Sequence, residues 1–258
     1  MTRPTRAPHR ASRGTPSLLA ARRRAERLVA LVAAAVALSF GAACAHRRAV
    51  ATATTAAPPV NTPELPVVSD PRVAESLLED VHAADSTIVV ALRYATSDNF
   101  TGTRLPGYDA NRAFLRRQAA DALGRVQRRL AADGLTLKVW DAYRPVRATL
   151  AMVDWTRRVG REDLLRDGYI ASRSRHNLGL AIDLTLADRA TGRELEMGTP
   201  FDTFSPAAHT ANATGAAAAN RRRLQSVMES EGFTNYDQEW WHYSYELPDP
   251  VRFDVVIR

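Results

Sequence analysis

The stretch Ser174 to Asp183 reads S-R-H-N-L-G-L-A-I-D, and the rest of the chain is organised around it. Gly179 to Leu186 is an apolar run whose pattern predicts a buried strand, with Asp183 inside it. A buried carboxylate without a partner is costly, and a metal ion supplies one. His176 lies just upstream, in the polar segment that feeds this strand. A distant segment, Glu239-Trp240-Trp241-His242, opens a predicted aromatic strand and adds a second imidazole and a second carboxylate. His176, Asp183 and His242 together offer two neutral imidazoles and one carboxylate, a donor set found in catalytic zinc sites that keep a position open. Glu239, three residues before His242, is the extra acid a metal hydrolase needs to accept a proton from water.

Each of these residues also has a plainer reading. A lone histidine is usually exposed or hydrogen-bonded in a core, and that suffices for His82 ahead of the first predicted strand. His9 and His46 fall in the N-terminal segments. His209, in an Ala/Thr-rich loop, is the reserve ligand. Glu239 could be a surface acid beside an aromatic strand. For His176 and His242 the plain reading is weaker, because each belongs to a polar cluster set in apolar sequence. The only cysteine is Cys44, which excludes an intrachain disulfide and the Cys-rich structural zinc sites. A further candidate is Trp140-Asp141-Ala142-Tyr143-Arg144-Pro145, at a predicted strand-to-helix corner. Arg144 could project from that corner to stabilise an oxyanion, or form a structural pair with Asp141. Spacing leaves both open. Taken together, the residues read as a zinc peptidase.

The formal charge of +7 suggests an anionic partner until its distribution is read. Residues 1–43 hold eight arginines and one acid, so 35 bases less 8 and 28 acids less 1 leave 27 against 27. The remainder is neutral, which gives no support to nucleic-acid binding. The arginines lead into an apolar run from Leu28 to Ala43, shorter than the roughly 20 residues that span a bilayer, as in an export signal. Cys44 follows in G-A-A-C, which resembles a bacterial lipoprotein processing site, although Gly41 stands where leucine is usual. The expectation is a signal segment over 1–44, with either lipid attachment at Cys44 or ordinary cleavage nearby. Residues 45–69 are rich in Ala, Thr and Pro and read as a flexible tether, so the protein is expected to be exported and to meet a membrane only through that anchor.

One folded domain is expected over 70–258. Helices are predicted over Val73–Val81, Asn111–Ala132, Pro145–Val159 and Asn220–Gly232. Strands are predicted over Thr87–Tyr94, Leu135–Trp140, Gly179–Leu186, Glu239–Tyr245 and Val251–Ile257. Helices and strands mix without a βαβ rhythm, which gives an α+β class.

The chain resembles the D-alanyl-D-alanine dipeptidases of the VanX type, within the wider group of zinc D-alanyl-D-alanine peptidases that includes VanY. The resemblance rests on six blocks in order: L-R-Y-A-T-S-D-N-F-T-G (Leu92 to Gly102), W-D-A-Y-R-P (Trp140 to Pro145), G-Y-I-A-S-R-S-R-H-N-L-G-L-A-I-D-L-T-L (Gly168 to Leu186), M-G-T-P-F-D (Met197 to Asp202), N-R-R-R-L (Asn220 to Leu224) and E-W-W-H-Y (Glu239 to Tyr243). It implies one zinc ion held by His176, Asp183 and His242, Glu239 as catalytic base and Arg144 as the arginine that steadies the transition state. Tyr94 and Ser174 match residues near the substrate amino group. The implied fold is α+β, a central antiparallel sheet with helices around it (hedgehog/D,D-peptidase-like), and the implied substrate is D-alanyl-D-alanine. Alternatives are a D,D-carboxypeptidase trimming peptidoglycan stems, or a module that binds zinc without catalysis. Two features depart from the resistance-type members: Asn177-Leu178, where those carry a polar and a basic residue, and the export leader, since those act in the cytoplasm. The first puts the subsite preference in question.

Overall fold

The computed structural model describes residues 64–258, and these residues form nine strands and six α-helices. In order these are β1 (Val67–Val68), α1 (Pro71–Leu77), β2 (Leu78–Asp80), α2 (Val81–Ala84), β3 (Val89–Val90), β4 (Phe114–Arg116), α3 (Arg117–Ala131), β5 (Leu135–Asp141), α4 (Val146–Val159), α5 (Asp163–Arg166), β6 (Ala181–Asp188), α6 (Gly215–Glu229), β7 (Phe233–Tyr236), β8 (Glu239–Tyr245) and β9 (Arg252–Phe253). The leader and most of the tether read from sequence lie outside the described residues. Val67–Val68, inside the range read as tether, pairs with Arg252–Phe253.

The main sheet has strand order β3-β5-β6-β8-β7. Three of its pairings are antiparallel, but the edge strand β3 runs parallel to β5. The sheet is therefore mixed, which corrects the expectation of an antiparallel one. The reason is that only Val89 and Val90 of the predicted Thr87–Tyr94 strand join the sheet, beside Lys138 and Val139. The chain then turns into a short 3-10 helix over Arg93–Ala95. β6 fills the middle of the sheet, and its residues from Ala181 to Ala187 are buried, as its apolar run requires.

Two predicted helices are interrupted for one shared reason. Leu78–Asp80 pairs antiparallel with Phe114–Arg116, so the first predicted helix breaks into α1 and α2, and the second begins at Arg117. Asn111 is not helical, because its side chain accepts from Leu92 N (2.8 Å) and donates to Val90 O (2.9 Å), holding the β3 region in place. Tertiary pairing outweighs local helix propensity here. The rest of α3 follows its pattern, with Ala119, Leu123, Val126 and Leu130 buried. Gly124 lets it approach α2, since a Cβ there would lie 3.0 Å from the Ala84 carbonyl oxygen. At the other end of the chain, the predicted strand over Val251–Ile257 shrinks to β9.

The piece that delivers His176 is a single 3-10 turn, Arg175–Leu178, between two caps. Ser174 accepts from His176 N, and Gly179 closes the turn at φ +65°. A Cβ at Gly179 would meet Leu78 Cδ2 at 2.6 Å and Arg116 N at 3.2 Å, so glycine is needed for both conformation and space. Gly179→Ala is expected to destabilise the domain by about 2 kcal/mol or more, read as a lower midpoint in urea unfolding.

Candidate metal centre and active site

The sheet register builds the site. β5 and β6 pair with Val139 opposite Leu184 and Asp141 opposite Asp183, a shift that skips Trp140. β6 and β8 pair with Asp183 directly opposite His242. Cross-strand neighbours of this kind hold their side chains in contact, and the Asp183 Oδ1 to His242 Nδ1 distance is 3.0 Å. The capped turn before β6 brings His176 to the same point. His176 Nε2 lies 3.3 Å from Asp183 Oδ2 and 3.2 Å from His242 Nδ1.

These separations fit one small cation. Bonds of 2.0–2.2 Å in a tetrahedral zinc site place ligand atoms about 3.3–3.5 Å apart. Here the two imidazole nitrogens stand 3.2 Å apart, Asp183 faces the rings with a different oxygen each, at 3.0 and 3.3 Å, and one donor atom from each of the three residues lies within 4.8 Å of the others. The ring orientations agree. His176 Nδ1 donates to the Ala142 carbonyl oxygen (2.7 Å), which leaves the Nε2 lone pair facing the cluster. His242 turns Nδ1 inward, with Nε2 3.4 Å from Ser244 Oγ. Burial pushes the His242 imidazole pKa down despite the neighbouring Asp183, so the ring is neutral near pH 7 and free to donate. Burial works to raise the Asp183 carboxyl, but His176 and His242 hold it below the usual carboxylate range.

Glu239 opens β8, next to the register shift between Asn235 and Tyr236, and its Oε2 lies 3.9 Å from His242 Nδ1. Burial first, then the charges of Asp183 and Asp202, push its pKa well above the usual range. Asp202 is raised in the same way, by burial and by Asp183. Two acids in one cavity, Glu239 buried and Asp202 half-buried, both driven toward their neutral forms, mark a site short of positive charge, which a divalent cation at the His-Asp-His cluster would relieve. The two readings of Arg144 turn out to be compatible. Its Nε and Nη2 bond Asp141 Oδ2 at 2.9 and 2.7 Å, while Nη2 also stands 3.7 Å from Asp183 Oδ2. Nη1 has only the weak acceptor Met152 Sδ at 3.4 Å, so it has hydrogen-bonding capacity to offer a ligand.

His176, Asp183, His242, Glu239, Asp202 and Arg144 line one cavity of about 440 Å³, with Asp141 behind Arg144. Tyr94 and Ser174 line it too: the Tyr94 hydroxyl is 3.1 Å from both carboxylate oxygens of Asp202, and Ser174 caps the His176 turn. His209 does not join the cluster. Its Nε2 sits 3.2 Å from the Tyr169 hydroxyl, which removes it as a reserve ligand. Asn177 and Leu178 do not line the cavity either. Asn177 Nδ2 bonds Arg144 O (2.8 Å) and Thr149 Oγ1 (2.9 Å), tying the His176 turn to the start of α4, and Leu178 is packed in the core. That departure from the resistance-type pattern therefore sits behind the site and does not touch a ligand. Two further acids matter more: Asp141, read from sequence only as a possible partner of Arg144, and Asp202, to which the sequence reading gave no role. Asp141 anchors Arg144 and accepts from the Tyr108 hydroxyl at 2.5 Å. Asp202 takes a left-handed backbone, φ +57°, to reach the cavity. The acid that ends M-G-T-P-F-D was the available signal for it.

The family model for peptidase M15, described as D-ala-D-ala dipeptidase, matches residues 76–252. The chain belongs to this family. A D-alanyl-D-alanine dipeptidase of Streptomyces coelicolor is 40% identical over 182 residues, covering 64% of this chain and 90% of the relative. One from Enterococcus faecium is 40% identical over 167 residues, covering 58% and 82%. One from Escherichia coli is 32% identical over 181 residues, covering 69% and 89%. As an M15 peptidase the chain is a hydrolase, and every cavity residue named above lies inside the matched segment.

Proposed function

We propose that this protein is a zinc-dependent dipeptidase that splits D-alanyl-D-alanine into two D-alanines. The observation that carries the proposal is the meeting of His176, Asp183 and His242 within one cavity, with Glu239 and Arg144 beside them. Zinc held there would supply Lewis acidity toward water and the peptide carbonyl. Glu239 accepts the proton of the attacking water and passes it to the departing amine. Arg144 donates from Nη1 and Nη2 to the carbonyl oxygen as that atom becomes anionic, while Asp141 holds the guanidinium in position. The trp-rich β8 keeps this machinery rigid: Trp240 packs on Trp140 away from the site, with its Nε1 donating to Thr199 Oγ1 (2.8 Å).

The choice of a free dipeptide over a longer stem peptide rests on Asp202. A half-buried carboxylate beside the Tyr94 hydroxyl, facing the cavity, suits the ammonium group of a free N-terminus, whereas an acylated N-terminus would leave that carboxylate unpaired. Turnover of D-Ala-D-Ala with and without a chelator, alongside N-acetyl-D-Ala-D-Ala, tests the proposal. Chelator-sensitive cleavage of the free dipeptide alone is expected. Preference for the acylated peptide would favour a D,D-carboxypeptidase, and zinc binding with no cleavage a non-catalytic module. Asp202→Asn is expected to raise KM for the dipeptide about tenfold or more and to leave the acylated peptide uncleaved, as read from steady-state kinetics.

We also propose that the enzyme works outside the cytoplasm in cell-wall dipeptide turnover, tethered through the Ala/Thr/Pro-rich segment ahead of Val67. The arginine-led apolar segment and G-A-A-C support this. No helix among the described residues is long and apolar enough to cross a membrane. The intact mass of the exported protein reads the fate of Cys44: an added lipid mass on a chain starting at Cys44 supports lipid attachment, and a plain cleaved chain opposes it.

A further inference from the structure

Contacts inside the cavity give it a direction. Asp202 bonds the Tyr94 hydroxyl (3.1 Å), and the Arg144 guanidinium lies over the Tyr94 ring at 5.1 Å. Arg144 Nη2 is 3.7 Å from Asp183, Asp183 is 3.0 Å from His242, and His242 Nε2 is 3.4 Å from Ser244 Oγ. Two residues beyond Ser244, Glu246 pairs with Arg175 at 2.9 Å. The cavity therefore runs from an acidic, aromatic end, past the His-Asp-His cluster, to an end built from the Ala171–Arg175 loop and the close of β8, which sets Ser174 toward the second end and leaves Tyr94 and Asp202 for the substrate amino group. A dipeptide at neutral pH is a zwitterion of matching polarity. With its ammonium at Asp202 and its peptide carbonyl at the cluster, its carboxylate falls one residue further on, roughly 3.8 Å by the Cα spacing, toward that second end.

Three arginines line the cavity: Arg144, Arg173 and Arg175. Arg144 is committed to Asp141 near the cluster. Arg175 Nη2 donates to the Tyr245 carbonyl oxygen (2.7 Å) and pairs with Glu246, which also neutralises the one acid at that end. Among the described residues the acid at that end, Glu246, pairs with Arg175, and Arg173 takes part in no salt bridge. It is exposed, lines the cavity, and immediately precedes Ser174, the cap of the turn that carries His176. We infer that Arg173 receives the C-terminal carboxylate of the substrate and makes a free C-terminus a requirement for tight binding. The inference rests on the dipeptidase reading above. A guanidinium matches a carboxylate in planar, two-point fashion, which lysine and glutamine cannot copy.

The test separates binding from turnover. KM and kcat of the zinc-loaded full chain are measured for D-Ala-D-Ala and for its C-terminal amide, with the native residue, Arg173→Gln and Arg173→Lys. Affinity for the dipeptide is measured by calorimetry in a Glu239→Gln background, with and without Arg173→Gln. Arg173→Gln is expected to raise KM and Kd for the dipeptide on the order of tenfold with kcat little changed, because charge-assisted hydrogen bonds at an exposed site are worth about that much. It should leave the amide unaffected, and Arg173→Lys should recover part of the loss. Equal affinity with and without Arg173, or equal losses on acid and amide, would overturn the assignment. If the native protein cleaves neither substrate, the dipeptidase reading fails by itself, and the calorimetric comparison still decides whether Arg173 holds a carboxylate.

Discussion

Glu239→Gln is expected to lower kcat for D-Ala-D-Ala by about a thousandfold while the dipeptide still binds and zinc remains at one ion per chain. Proton transfer by a positioned side chain contributes roughly 10²–10⁴ in rate, and glutamine keeps the shape of glutamate without its basicity. The direction of the stability change makes this more than a generic loss of activity. Burial, Asp183 and Asp202 raise the Glu239 pKa on folding. An acid raised on folding favours the folded state only while protonated, and opposes it as pH rises above its unfolded value. Near pH 7 the metal-free variant should therefore melt no lower than the native chain. Single-turnover kinetics, metal analysis and calorimetric melting together check the point. A variant that melts lower and loses zinc would make Glu239 a structural residue or a ligand.

The second large effect concerns the cluster itself. Asp183→Asn should abolish stoichiometric zinc binding and reduce turnover by a thousandfold or more, since the amide removes the only negative charge among the three donors. In the native protein, chelation should remove activity and zinc should restore it. Metal that binds only the folded state stabilises by RT ln(1 + [L]/Kd), about 2.7 kcal/mol at a hundredfold excess over Kd. For a domain of this size that corresponds to several degrees in Tm. The readouts are metal content after dialysis and the melting curve with and without zinc. Zinc retained by Asp183→Asn at native stoichiometry would move the site elsewhere.

The metal cluster could be read from sequence because each member broke its local pattern. Asp183 is an acid in a run where Ala181, Ile182, Leu184 and Leu186 are all buried, and His242 is polar in a strand of Trp and Tyr. The sheet register that places Asp183 opposite His242 is a long-range fact, and no window of sequence contains it. The same limit explains the interrupted helices, where Leu78–Asp80 and Phe114–Arg116 look helical alone and become strands only because they meet. Asp202 was hidden for a different reason: an acid after Pro200 and Phe201 looks like any turn residue until its left-handed backbone delivers it beside Tyr94. Asn177 misled in the opposite sense. It stands next to a ligand in sequence, yet its side chain turns away to brace the start of α4.

Diffraction from zinc-loaded crystals at the zinc absorption edge asks the decisive question. A single anomalous peak per chain is expected, with His176 Nε2, His242 Nδ1 and an Asp183 oxygen as its protein neighbours and the Glu239 carboxyl beside it but not bound. A peak at His209 or at any other group of side chains, or none at the three residues, would contradict the assignment.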